Sequence, residues 1–132
     1  MANTVTKTRH TSTVKTMLIE NETTAFSGTT LMIDAEEIET YDRATIQIRN
    51  EGEGATITAK VWGTLFDGSA STPATNSTWV QIGDDIEIAN NTGAIKAIST
   101  TGLRYIAVNM TIASGTPDFN AGNCKIFLQG TV

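Results

Sequence analysis

Ile106, Val108, Met110 and Ile112 occupy every second position of the stretch LRYIAVNMTIA (103–113), with Ala107, Asn109 and Thr111 between them. A helix would scatter those four side chains around its whole circumference, whereas an extended chain collects them on one face. The same two-residue period runs through Ile46 and Ile48, through Ile57, Ala59 and Val61, and through Cys124, Ile126 and Leu128. Strand-like segments of this character cover residues 14–20, 29–35, 44–50, 55–66, 78–82, 85–89, 94–98, 103–113 and 124–130. Turn formers separate them, as in NEGEGA (50–55), NNTG (90–93), TTG (100–102) and ASGTPDFNAG (113–122). Short antiparallel strands with one apolar face each cannot remain a single sheet without leaving that face in water. The expectation is therefore an all-β, two-sheet antiparallel β-sandwich of jelly-roll or immunoglobulin-like type, or a small barrel. Only DAEEIETYD (34–42) could hold a helical turn, and its acidic character suits a surface crossover between sheets.

Composition points the same way. Threonine fills 24 of the 132 positions, and β-branched side chains lose less freedom on a pleated surface than on a helix. The length suits one domain with one core. Its first stretch, residues 1–14, is polar, threonine-rich and basic through Lys7 and Arg9. It holds too little apolar surface to offset its own ordering entropy, so the expected division is an extended N-terminal arm (1–14) followed by the sandwich (15–132). Such an arm would be held by a neighbouring subunit.

Only 17% of residues are charged and the net charge is −5, which argues against a nucleic-acid partner, since that needs clustered Lys and Arg. No apolar run reaches the ~18 residues of a membrane-spanning helix, and the N-terminus MANTVTKTRHTSTVK lacks a hydrophobic signal region. The expected setting is synthesis in the cytoplasm without a cleaved signal. Asn21, Asn76, Asn90 and Asn109 each begin an Asn-x-Thr triplet, a product of the threonine content and not a glycosylation signal.

Chemistry is sparsely marked. His10 is the single histidine and lies in the polar stretch, without the fixed partner that nucleophilic catalysis requires. One histidine and one distant cysteine do not make a zinc site. Cys124 alternates with Ile126 and Leu128, the position of a buried, inert thiol. The acidic run Asp34, Glu36, Glu37, Glu39, Asp42 and the pair Asp84–Asp85 could offer oxygens to calcium, but neither follows the spacing of a calcium loop and the plain reading is a solvated acidic loop. GEGA (52–55) lacks the spacing of a phosphate-binding loop. No cofactor is expected.

The two tryptophans flank one loop, in WGTLFDGSASTPATNSTWVQIG (62–83). By alternation Trp62 falls opposite Ile57, Ala59 and Val61, and Trp79 opposite Val80 and Ile82. Either a bulge or corner at Gly63 turns the rings inward, or they lie on an outer face or rim as contact area for a partner.

The strand ending in WGTLFDG, the small-residue loop, WVQIG, and the later LRYIAVNM together resemble a pattern in small β-sandwich virion proteins of tailed bacteriophages, over residues 43–112. The stretch SASTPATNST (69–78) is longer than in that pattern. The resemblance implies a capsid decoration (cement) or head–tail accessory protein, located in the virion and assembled in the host cytoplasm, and it carries over no catalytic residue. The expected function is accordingly non-enzymatic: a homo-oligomer that also binds a capsid or other virion protein, with Lys7, Arg9, His10, Trp62, Trp79 and Tyr105 as contact residues. The alternative is a carbohydrate-binding module or receptor-contacting tail appendage, with Trp62, Trp79 and Tyr105 stacking on sugars beside Asp67, Asn76 and Gln81.

Overall fold

The computed structural model describes residues 5–11, 16–23, 29–51, 55–65, 78–114 and 124–131. They form ten strands: β1 (Val5–Thr11), β2 (Thr16–Thr23), β3 (Thr29–Glu37), β4 (Arg43–Asn50), β5 (Thr56–Thr64), β6 (Val80–Gln81), β7 (Ile86–Ile88), β8 (Thr92–Ser99), β9 (Tyr105–Ser114) and β10 (Cys124–Thr131). One sheet has the order β1-β2-β10-β4-β8; the other runs β3-β9-β5-β6, with β7 also paired to β5. Every pairing is antiparallel. The pairs are nested: β5 with β6 and β7, β4 with β8, β3 with β9, β2 with β10. A chain doubled at the β5–β6 connection and then rolled up gives this order, which is the jelly roll and not the immunoglobulin arrangement. Within the stretch expected as an extended arm, Val5–Thr11 is the edge strand β1, paired with β2 from Val5↔Thr23 to Thr11↔Met17.

The alternating rows meet where the two sheets face each other. Ile46 and Ile48 of β4 stand opposite Leu128 and Ile126 of β10, while Ala59 and Val61 of β5 stand opposite Met110 and Val108 of β9. All are buried in one cluster with Met32, Ile33, Ile38, Ile57, Ile106 and Cys124. A one-residue slip would turn either row to solvent, so burial fixes the register.

β3 departs from simple alternation. Its register against β9 shifts between Leu31 and Ile33 and again between Ile33 and Glu36, each time placing one more residue on β3 than on β9. These are β-bulges, and at the second one Ala35 has φ +46°. The first bulge lets the consecutive Met32 and Ile33 both be buried, and the second turns Glu36 inward as well. The acidic stretch, where a helical turn was possible, therefore continues as strand to Glu37 and leaves by a corner.

Polar side chains fasten the ends. The fully buried Asn50 Nδ2 donates to the carbonyls of Ala55 at 2.8 Å and Ile88 at 3.1 Å, tying β4 to the opposite sheet. At the other end Thr100 Oγ1 donates to the Tyr41 carbonyl at 2.8 Å, and its amide donates to that of Asp42 at 3.0 Å. Buried polar groups matched in this way stabilise; unmatched, each would cost about 1–3 kcal/mol.

Candidate contact surface

The outer face of the β3-β9-β5-β6 sheet presents the side chains that alternate with the core rows. Across it, Leu31, Asn109 and Lys60 form one register row, and Ala107, Trp62 and Gln81 form the next. Trp62 is part-exposed. Its Nε1–H points at Asn109 Oδ1, 3.4 Å away, so the indole leans from β5 over β9. Ala107, directly opposite Trp62, is 0% exposed and Asn109 only 5%, although both belong to the outer face.

Beside the ring, Gln81 Nε2 donates to Asp85 Oδ1 at 2.6 Å, and Lys60 Nζ lies 3.7 Å from Asp85 Oδ2. An amide, a carboxylate and an ammonium are thus held together next to one aromatic surface. Gly63, following Trp62, is packed beneath Ile82 and Leu103: a Cβ there would sit 2.6 Å from Ile82 Cδ1. That close approach helps seat β6 against β5.

The other expected contact residues separate. Trp79 is 4% exposed and outside the core cluster between the sheets, so its ring is not presented for contact. Tyr105 is half-buried, and the Arg104 guanidinium carbon sits 5.4 Å from its ring centroid, within cation–π range. Lys7 on β1 reaches Glu36 of β3, Nζ to Oε2 at 2.6 Å. Arg9 and His10 stand on β1 opposite Ile19 and Leu18; their side chains lie outside the described ones, as do Asp67 and Asn76. Alternation set Trp62 off the core row and left open whether its ring turned inward at Gly63; the Asp85–Lys60 neighbourhood came only with the register, because β7 returns to the same strand as β6.

The acidic run is dispersed by strand geometry. Glu36 turns inward to Lys7, Asp34 and Glu37 are exposed, and Glu39 Oε2 lies 3.7 Å from Arg104 Nε. Among the described residues no three of His, Cys, Asp and Glu gather as an ion-binding cluster. A groove of about 500 Å³ at the end of β4 and β8 is lined by Asp42, Arg43, Ala97, Ile98, Ser99 and Thr101, a single carboxylate beside an arginine. Burial raises the Cys124 thiol from 9.0 to about 12, which keeps it protonated and unreactive at neutral pH. Among the described residues no helix is long and apolar enough to cross a membrane.

No family model and no curated protein matches the sequence. Among solved structures, a chain of Bacillus endospore appendages, which form a family of disulfide-linked pili, is matched over 100% of this chain and 92% of its own length, at 10% identity and a TM-score of 0.43. That likeness is too slight to argue from.

Proposed function

We propose that this chain is a non-enzymatic structural subunit that works by surface contact, and specifically a capsid decoration or cement protein of a virion, assembled in the host cytoplasm. The observation that carries this reading is where the polar side chains go. Inside, Asn50 ties β4 to the opposite sheet and Thr100 ties the end of β8 to the start of its neighbour β4; outside, a sheet face and a basic edge strand remain for partners. Its partners would be copies of itself and a shell protein, met through the sandwich surface and through β1, which carries Lys7, Arg9 and His10. A stable contact needs about 1,200–2,000 Å² of buried surface, and repetition over a lattice turns modest single contacts into firm retention.

Co-sedimentation of the purified chain with particles from its source, followed by electron microscopy, tests this. The expected result is regular density on the shell, and at least tenfold weaker retention once residues 1–14 are deleted. Particles that neither contain nor retain the chain would reject the virion assignment, and undiminished retention of the truncated chain would reject the role of β1.

A further inference from the structure

We propose that the solvent side of the Trp62 indole is a stacking platform for one sugar ring of a neutral glycan, gripped at its hydroxyls by Gln81, Asp85 and Lys60. This goes beyond the structural-subunit reading and does not depend on it.

The platform follows from burial. Trp62 is part-exposed on the outer face, stands opposite the buried Ala107 and hydrogen-bonds Asn109 through Nε1, so the indole is anchored to β9 by its N–H edge and keeps part of its surface in solvent. A pyranose ring has an apolar side of C–H groups that matches such a surface, and its hydroxyls both donate and accept. The groups beside Trp62 supply both kinds of partner. Gln81 brings an amide, Lys60 brings donors and Asp85 brings acceptors, a carboxylate having about four lone-pair sites. The Gln81–Asp85 hydrogen bond at 2.6 Å orients those two side chains before any ligand arrives, which lowers the ordering cost of binding, and the Lys60 ammonium lies 3.7 Å from the same carboxylate.

Charge and size select the ligand class. Lys60 is outnumbered by Asp85, the exposed Asp84 and the exposed Glu87, which stands opposite Thr58 on the same face, so an anionic ligand is repelled, whereas a neutral ring taken by stacking and hydroxyl hydrogen bonds does not depend on the field. A protein partner wants an apolar centre within some 800 Å² per side. One indole bordered by an amide, a carboxylate and an ammonium is scaled to a single sugar ring.

A printed array of neutral oligosaccharides probed with the full chain, followed by titration calorimetry on the responding glycan, tests the assignment. The expected result is binding that Trp62→Ala weakens at least tenfold in a chain that still unfolds cooperatively, that Trp62→Phe weakens less, and that Asp85→Asn weakens several-fold with a urea midpoint near the parent's. An array without response, or binding that survives Trp62→Ala and Asp85→Asn undiminished, overturns the proposal. So does Trp62→Ala abolishing particle retention while no glycan binds, which would make this face a protein contact. Particle retention of the parent chain is scored separately, so the virion reading can fail without this one, and the reverse.

Discussion

Lys7 Nζ of β1 lies 2.6 Å from Glu36 Oε2 of β3, an ion pair that joins the outermost strands of the two sheets along one side of the sandwich. Its two ends differ in environment: the Glu36 side chain is 8% exposed and that of Lys7 43%. The second bulge of β3 makes the contact, since without it Glu36 would fall on the outer face. Lys7 is wet enough for its charge to be partly screened, while Glu36 is dry enough to feel the loss of this ion pair. Lys7→Ala is therefore expected to lower stability by about 1–2 kcal/mol, read as a shift in urea midpoint. Raising salt should shrink the difference between parent and variant only slightly; a difference abolished at moderate salt would mean that the pair is an ordinary surface contact.

The bulge has a backbone consequence at Ala35, whose φ of +46° lies in the left-handed region. A residue with a Cβ held there costs roughly 1–2 kcal/mol. Glycine removes that strain but adds disorder to the unfolded chain, worth about 0.5–1 kcal/mol against it. Ala35→Gly is expected to stabilise the fold by about 0.5–1 kcal/mol. Asn91, at φ +58° in the turn between β7 and β8, is a residue that tolerates this region, so Asn91→Gly should change the midpoint by less. Equal effects at the two positions would show that strain at Ala35 is not the cause.

How much of this could be read from the chain follows the reach of each interaction. The rows Ile46–Ile48, Ile57–Val61, Ile106–Ile112 and Cys124–Leu128 declare themselves because alternation is local. β1 does not, because VTKTRHT has no apolar row and owes its place to the pairing with β2. The bulges of β3 hide for a similar reason: adjacent Met32 and Ile33 could as well be one inward and one outward residue until β9 lies beside them. Nested pairing, with β2 meeting β10 across most of the chain, leaves no local trace, which is why jelly-roll and immunoglobulin arrangements read alike in sequence. Trp62 follows its parity and lies part-exposed on the outer face. Trp79 has the same parity and is nonetheless buried, so alternation alone did not sort the pair.

Two glycines make opposite demands on their neighbours. A Cβ on Gly130 would meet Cδ1 and Cγ of the Tyr41 ring at 2.9 Å, whereas one on Gly63 would meet Cδ1 of Ile82 at 2.6 Å. The second contact is shorter, yet it falls on the tip of a flexible side chain that can rotate away. A ring atom next to the Tyr41 Cβ moves only if the residue or its corner moves. Gly130→Ala should therefore cost about 1–3 kcal/mol and Gly63→Ala less, compared by thermal or urea denaturation. A larger loss at Gly63 would show that the seat of β6 against β5 is the stiffer of the two.

Cys124 gives the fold an alkaline limit. Its side chain is fully buried among the facing rows of the two sheets, and desolvation raises the thiol from 9.0 to about 12. In the unfolded chain the proton leaves near pH 9, while in the native chain it is kept until about pH 12. Between those values the native state binds more protons than the unfolded one, so stability falls as pH rises. The contribution is whole below pH 9 and is lost progressively above it, with a slope that approaches about 1.4 kcal/mol per pH unit for a single proton. Lysines and tyrosines also titrate in that window, so the diagnostic quantity is the difference between the parent and Cys124→Ala in urea midpoint from pH 8 to 11. The alanine variant should be less stable at pH 8 through its cavity, and the gap should narrow as pH rises. A gap that stays constant would mean that the thiol reaches solvent in the native state. In that case it would also react with a disulfide reagent at pH 8 without prior unfolding.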